Sequence, residues 1–441
     1  MISLPCPETV LRTLAFSLPI RLVCCQPVST VFHRMRLLFF LFTAGAASAA
    51  DWPQFLGPQR DGRAPADTAL IKEIPPDGYK ILWKRDCGAG FAGPVVSGGK
   101  VILFYRAGDK NVAEALEVES GKPSWKEEWP TAYRDKFGFD EGPRSCPTVD
   151  EGQVFCYGAD GILTALELAG GKLLWRKDLV KEINSAQGFF GRCCAPLVTG
   201  NSVLIAPGGE GAGVAAFDRK TGDLQWKALD DEAGYASPVL MHPPQGGRVV
   251  FFTREGVAGL VPGTGKVLFN EKFRSKDDAS VNAATPVVVD STHFFTSACY
   301  ETGAALWEIG KGDTLTSSWR GGGKLDCHYS TPVLIDGNLY GFHGRQERGQ
   351  ELRCVTARDG EVKWSVDIDP GNLIACGKQL LILTERGELI LTTASPGKAP
   401  DLTVRSEIIR GGHRAPPALA GGLLFAKDKS RLVCVDLRAA H

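Results

Sequence analysis

Ala-Phe-Asp-Arg-Lys-Thr-Gly-Asp-Leu-Gln-Trp, residues 216–226, joins two apolar runs through a tight turn and ends on an indole. The same turn returns as Ser-Gly-Lys-Pro-Ser-Trp125, Gly-Gly-Lys-Leu-Leu-Trp175, Thr-Gly-Lys-Val-Leu-Phe269 and Asp-Gly-Glu-Val-Lys-Trp364. Each unit opens on a small residue followed by Pro, at Pro94, Pro147, Pro196, Pro238, Pro286 and Pro332, with a weaker opening at Pro416. Self-similarity at a period in the forties of residues is the mark of a repeat architecture.

Within a unit, apolar residues alternate or run for a few positions between Gly, Asn or Asp, as in Val-Leu-Ile-Asp-Gly-Asn-Leu-Tyr-Gly-Phe (333–342). That pattern reads as strand, turn, strand. No stretch after residue 50 sustains a helical apolar period for three turns, so few helices are expected. Four short strands repeated around an axis make a propeller blade. Seven units lie between residues 91 and 409, and an eighth (413–438) has three strands. The segment Ile-Leu-Trp-Lys-Arg-Asp (81–86) resembles a lone last strand. The expected fold is therefore all-β: an eight-bladed β-propeller of four-stranded antiparallel blades, closed by an N-terminal strand, which removes the open sheet edge.

Residues 35–50 carry one Arg, an apolar run too short to span a bilayer, and Ala47-Ser48-Ala49. They read as a secretory signal cleaved near Ala49 or Ala50. Residues 1–34 precede it as an extension, read either as lying upstream of a start at Met35 or as a long n-region, and 51–441 are expected to form a single propeller domain, periplasmic or secreted. The chain has 50 basic and 50 acidic residues. Residues 1–50 hold four Arg and one Glu. The remainder is slightly acidic, which gives no footprint for nucleic acid or an anionic membrane. A monomer without a transmembrane segment is expected.

Ten cysteines lie beyond residue 50, without the spacing of a zinc site. Cys146 and Cys156 flank the turn at 150–152, where they could face each other across a hairpin, while buried Cys equally serves as a small hydrophobe. Cys194 stands two before Pro196, where other units have Ala236, Ala284 and Ser330.

Propeller topology gathers inter-blade links and second-to-third-strand loops on one face, where closed β-architectures favour ligand sites. Alignment on the opening Pro places Arg144, Arg192, Asn282, His328 and His413 three or four residues upstream, near the axis. The loops add Arg345 and Glu347, and Arg386 and Glu388; Asp326 stands near His328 as a candidate to orient its imidazole. Tyr133, Phe137, Phe139, Phe189 and Phe190, on the long links 130–145 and 180–192, could lid this funnel or offer a partner a hydrophobic patch. Arg and Glu in tight loops are equally often solvated or locally paired.

The repeat, with the opening Asp-Trp-Pro-Gln-Phe-Leu-Gly-Pro (51–58), resembles the pyrroloquinoline-quinone-type (PQQ-like) eight-bladed propellers over roughly residues 51–438. The resemblance implies that the turn Gly and the Trp dock neighbouring blades. It implies two functions from different classes. One is a non-catalytic exported binding or scaffold module for a protein or peptide partner, similar to the outer-membrane assembly factor of that group, with no cofactor. The other is a quinoprotein alcohol dehydrogenase using PQQ and Ca²⁺, in whose relatives adjacent cysteines such as Cys193–Cys194 stack on the quinone. Such an enzyme also needs calcium ligands and a catalytic carboxylate, which no motif here supplies. No metal site and no catalytic residue is assigned from the sequence.

Overall fold

At five junctions a blade's indole is received by a glycine turn of the next blade: Trp83 by Gly121, Trp125 by Gly171, Trp175 by Gly222, Trp226 by Gly265 and Trp319 by Gly360. The structure, a computed structural model, describes residues 51–242 and 246–439. The extension and signal expected over residues 1–50 lie outside the described residues. Among the described residues the chain forms eight sheets, with one short α-helix at Leu179–Ile183. Six blades are plain four-stranded meanders; the third, for example, runs Leu197–Thr199, Ser202–Ile205, Val214–Asp218 and Leu224–Ala228. The eighth combines Ala418–Ala420, Leu423–Lys427 and Arg431–Asp436 with Lys80–Asp86, Trp83 standing opposite Cys434. The ring is thus closed by the N-terminal strand, as expected. The seventh blade gains a fifth strand, because Arg63–Ala64 pairs in parallel with the innermost strand Gly371–Cys376.

The docking of blades is chemical as well as steric. Trp125 Nε1 donates to the Leu168 carbonyl, Trp175 to Arg219, Trp226 to Pro262, Trp319 to Ala357 and Trp364 to Ser395, each in the turn of the following blade. Trp83 donates to Val118 at 2.8 Å and so joins the eighth blade to the first. Gly171 sits at φ +71° directly over Trp125, where a Cβ would lie 2.6 Å from the indole. Only glycine tolerates both the left-handed backbone and that approach. Burying each indole contributes on the order of 2–3 kcal/mol. Trp319 was not legible in the repeat because its unit lacks the usual turn.

The small-residue–Pro openings form a second ring nearer the axis. Ala195 N–H donates to Ser237 Oγ, Ser237 N–H to Thr285 Oγ1, and Thr285 N–H to Thr331 Oγ1, at 2.9–3.0 Å. Cys146 occupies the same station, its Sγ accepting from Gly93 N–H at 3.2 Å. It is therefore a ladder acceptor, and all ten described cysteines are free thiols, so the Cys146–Cys156 pairing is not made.

A third set of residues latches each link onto the turn of the blade before it. Arg192 donates to the Ser185 and Ala159 carbonyls, Asn282 Nδ2 to Thr253 and Phe273, and His413 Nε2 to Thr384.

The lead-in segment crosses the axis and fills the channel. Trp52 exchanges both backbone hydrogen bonds with Val96 of the first blade, Pro53 accepts from Val149 N–H of the second, and Gly62 accepts from Ala375 N–H of the seventh. Arg60 is 4 % exposed; its guanidinium donates to Gln54 Oε1, to Thr148 Oγ1 and to the carbonyls of Ala195, Pro196 and Pro238 at the openings of the third and fourth blades. Burial pulls its pKa down to about 10, so it stays charged at neutral pH. Carbonyl dipoles rather than a carboxylate compensate that charge.

Replacing Arg60 by Met should lower stability by about 3 kcal/mol in equilibrium urea unfolding, since a cluster of buried carbonyls loses its donor; a change under about 0.5 kcal/mol would mean the crossing segment adds nothing to the ring. A second measurement concerns His413, whose Nδ1 is buried without a partner among the described residues and whose pKa burial lowers from 6.5 to about 4. The unfolded chain takes up a proton below about pH 6.5 that the folded ring refuses, so this contribution is full above that pH and falls as pH drops towards 4. In His413→Gln the stability lost between about pH 7 and pH 4.5 should shrink by about 2 kcal/mol; an unchanged loss would exclude this imidazole as a source.

Candidate functional site

Because the channel is filled, the funnel on the link face is blind. Its floor is the crossing segment itself, through Trp52, Phe55 and Leu56. The cavity holds about 400 Å³. The link 130–145 places Phe137 and Phe139 on its rim, and the link 180–192 places Phe190 between them and Tyr235, with ring centroids 5.2–6.0 Å apart. Phe189 points outward, beside Phe137 and under the Arg254 guanidinium, while Tyr133 is buried behind the wall. The aromatic rim expected from the sequence is therefore formed by three of the five residues.

Three guanidiniums stand in this aromatic wall. Arg144 pairs with the buried Asp135 carboxylate at 3.2 Å and lies 5.1 Å from the Phe91 ring centroid. Asp135 is itself fixed by the backbone N–H groups of Phe137, Phe139 and Asp140, so the charge pair also shapes the rim loop. Arg345 stacks 4.4 Å over Tyr300 and bonds Glu347. Arg414 lies 5.3 Å from Phe139 and 5.7 Å from Tyr329, with Nε 3.4 Å from Glu385. Sequence reasoning missed Arg414, and the signal was adjacent: His413 beside it was chosen, but the backbone sends that imidazole into the latch and the next side chain into the funnel.

Of the residues expected at the rim, Arg144, Cys193, His328, Arg345 and Glu347 line the cavity. Arg192, Asn282 and His413 are the buried latches. Cys194 is fully buried between the second and third blades, like Ala236 and Ala284 at its station, whereas Cys193 faces the funnel with its thiol pushed up to about 12 by burial. The two cysteines do not present one flat pair to the cavity. Arg386 pairs with Asp369 and Glu388 with Arg405, both away from the funnel. Asp326 does not orient His328: its carboxylate accepts from Gly323 N–H, and it lines an adjoining open cleft of about 1280 Å³ that shares Tyr300 and Arg345 with the funnel. The His328 imidazole is held instead between Gln346 Oε1 at Nδ1 and the Tyr300 hydroxyl, 2.8 Å from Nε2. Burial depresses its pKa, so it is neutral at neutral pH.

A calcium-held PQQ would need several oxygen ligands and a second carboxylate to act as base. Among the described residues Glu347 is the only carboxylate lining the cavity, and it is tied to Arg345. Among the described residues no group of three His, Cys, Asp or Glu side chains could hold a metal ion. The residues present do not fit that cofactor.

Among the described residues no helix is long and apolar enough to cross a membrane. The family model described as outer membrane protein assembly factor BamB matches residues 110–366, more than half of the chain. Outer membrane protein assembly factor BamB of Yersinia pestis is 23 % identical over 296 residues, covering 64 % of this chain and 71 % of that protein. The 1-butanol dehydrogenase (cytochrome c) of Thauera butanivorans is 29 % identical over 160 residues, which cover 33 % of this chain and only 21 % of the dehydrogenase. The crystal structure of BamB from Moraxella catarrhalis superposes with a TM-score of 0.60 at 12 % identity, covering 82 % of this chain and 98 % of that one, a likeness of fold. The chain belongs to the PQQ-like propeller family of the outer membrane protein assembly factor BamB.

Proposed function

We propose that this protein is an exported, non-catalytic binding or scaffold module that takes a protein or peptide segment in its blind funnel. The observation that carries this reading is the composition of the cavity: an apolar floor, an aromatic rim and three guanidiniums, with one carboxylate that is already paired. Such a surface binds through burial and hydrogen bonding. It offers no activated nucleophile and no pair of carboxylates set for acid–base work. The family's assembly-factor relatives support the same class of role, and the secretory signal read at residues 35–50 supports an exported, periplasmic location. The dehydrogenase alternative draws on a relative of which this chain covers a fifth, and the funnel lacks the oxygen ligands that reading requires.

The test is a phage-displayed peptide library panned against the protein and against Phe190→Ser. Enrichment of sequences that the variant fails to retain is the expected result. Equal enrichment on both would place binding away from the funnel, and micromolar, calcium-dependent binding of PQQ in a calorimetric titration would overturn the proposal in favour of the dehydrogenase.

A further inference from the structure

Arg345 and Arg414 enter the funnel from different blades and flank one imidazole. Arg345 stacks on Tyr300 and Arg414 lies beside Tyr329, and the rings of both tyrosines pack against His328, with centroids 5.3 and 5.7 Å away. Each guanidinium spends its Nε on an acidic neighbour, Arg345 on Glu347 at 3.2 Å and Arg414 on Glu385 at 3.4 Å. Among the described residues, the terminal nitrogens of neither make a hydrogen bond to the protein. Both side chains are a little under a third exposed, so those N–H groups are held by ring stacking yet open to a ligand. A stacked guanidinium keeps its edge free, and that edge matches a carboxylate.

The apolar part of the site is larger than the cavity. Phe137 is 52 % exposed, Phe139 42 % and Phe189 39 %, and the Phe137–Phe189 contact carries the patch beyond the funnel mouth. A small molecule filling about 400 Å³ would leave this outer patch uncovered. A chain that enters the mouth and continues across the rim would cover both. The blind floor at Trp52, Phe55 and Leu56 means that the chain cannot thread through the ring.

We propose that the funnel ligand is an acidic peptide segment, with an Asp or Glu carboxylate received by the terminal nitrogens of Arg345 and Arg414 and neighbouring aromatic or aliphatic side chains seated on Phe137, Phe139 and Phe190. This rests on the reading of the funnel as a peptide site and adds the chemistry of the peptide. Charge complementarity selects the sign, and the phenylalanines supply the contact area.

The experiment is fluorescence anisotropy with labelled peptides blocked at both ends, alternating Glu and Phe, Gln and Phe, or Lys and Phe. They are titrated against the protein, against Arg345→Gln/Arg414→Gln and against Phe137→Ser/Phe190→Ser, with a thermal melt confirming that each variant is folded. The Glu peptide should bind about tenfold more tightly than the Gln peptide, with the Lys peptide weakest. That preference should collapse towards unity in the arginine variant, and the phenylalanine variant should lose all binding. Equal affinity for the Glu and Gln peptides, abolished by the phenylalanine variant, would overturn the acidic assignment and leave the funnel as a peptide site. A Glu preference that survives in the arginine variant would overturn the assignment to these two residues. Binding of none of the peptides, or binding indifferent to both variants, would overturn the acidic assignment and the peptide reading together.

Discussion

An indole slid beneath a glycine turn holds this molecule together. Each blade is too small to bury its own faces, and the docking of Trp125 under Gly171 or Trp83 under Gly121 couples one sheet to the next with both a packing and a hydrogen-bonding component. Six such couplings fix how far a blade rotates relative to its neighbour, and two junctions without an indole complete the circle in which the last strand meets the first. Where the indole is replaced by Phe269, the junction keeps stacking, with Phe294 at 6.4 Å, and gives up the hydrogen bond. The seventh-to-eighth junction is packed differently: Tyr79, Leu389, Ile408 and Leu419 share one apolar cluster there. Residues from the N-terminal lead-in thus fill the place where the repeat is weakest.

The same economy of geometry shapes the funnel. Links between blades must climb out of the ring and return to the axis, so their side chains alternate between the latch and the cavity. Arg192 turns to the latch and Cys193 to the funnel; His413 turns to the latch and Arg414 to the funnel. His328 is the exception, because the loop beyond Asn338–His343 is long enough for Gln346 to reach its ring. It is drawn into the wall of the cavity rather than against a backbone carbonyl.

That alternation explains what the sequence could and could not disclose. The blades were readable because a turn glycine, an indole and a small-residue–Pro opening recur with fixed chemistry at each unit, and the closing strand 81–86 carried the same Trp as the others. Position near the axis was readable too, and Arg144, His328, Arg345 and Glu347 do line the cavity. Side-chain direction was not, since one residue of offset exchanges latch for cavity, and Arg414 was passed over for its neighbour. The crossing segment was also hidden. Arg60 is satisfied by main-chain carbonyls of blades more than a hundred residues away, and carbonyls leave no trace in a sequence.

That segment sets an order on assembly. Residues 51–64 leave the ribosome ahead of every blade, yet the carbonyls that hold Arg60 belong to blades three and four, and the strand that receives Arg63–Ala64 belongs to blade seven. The closing strand Lys80–Asp86 waits still longer for Arg431–Asp436. Contacts of such sequence separation are slow to form, because the entropy of closing the loop is lost before the contact rewards it. An incomplete chain therefore carries an unfilled bore and an open blade edge together until the final strand arrives, and it is in that interval, rather than in the closed ring, that this protein is most exposed to misassembly.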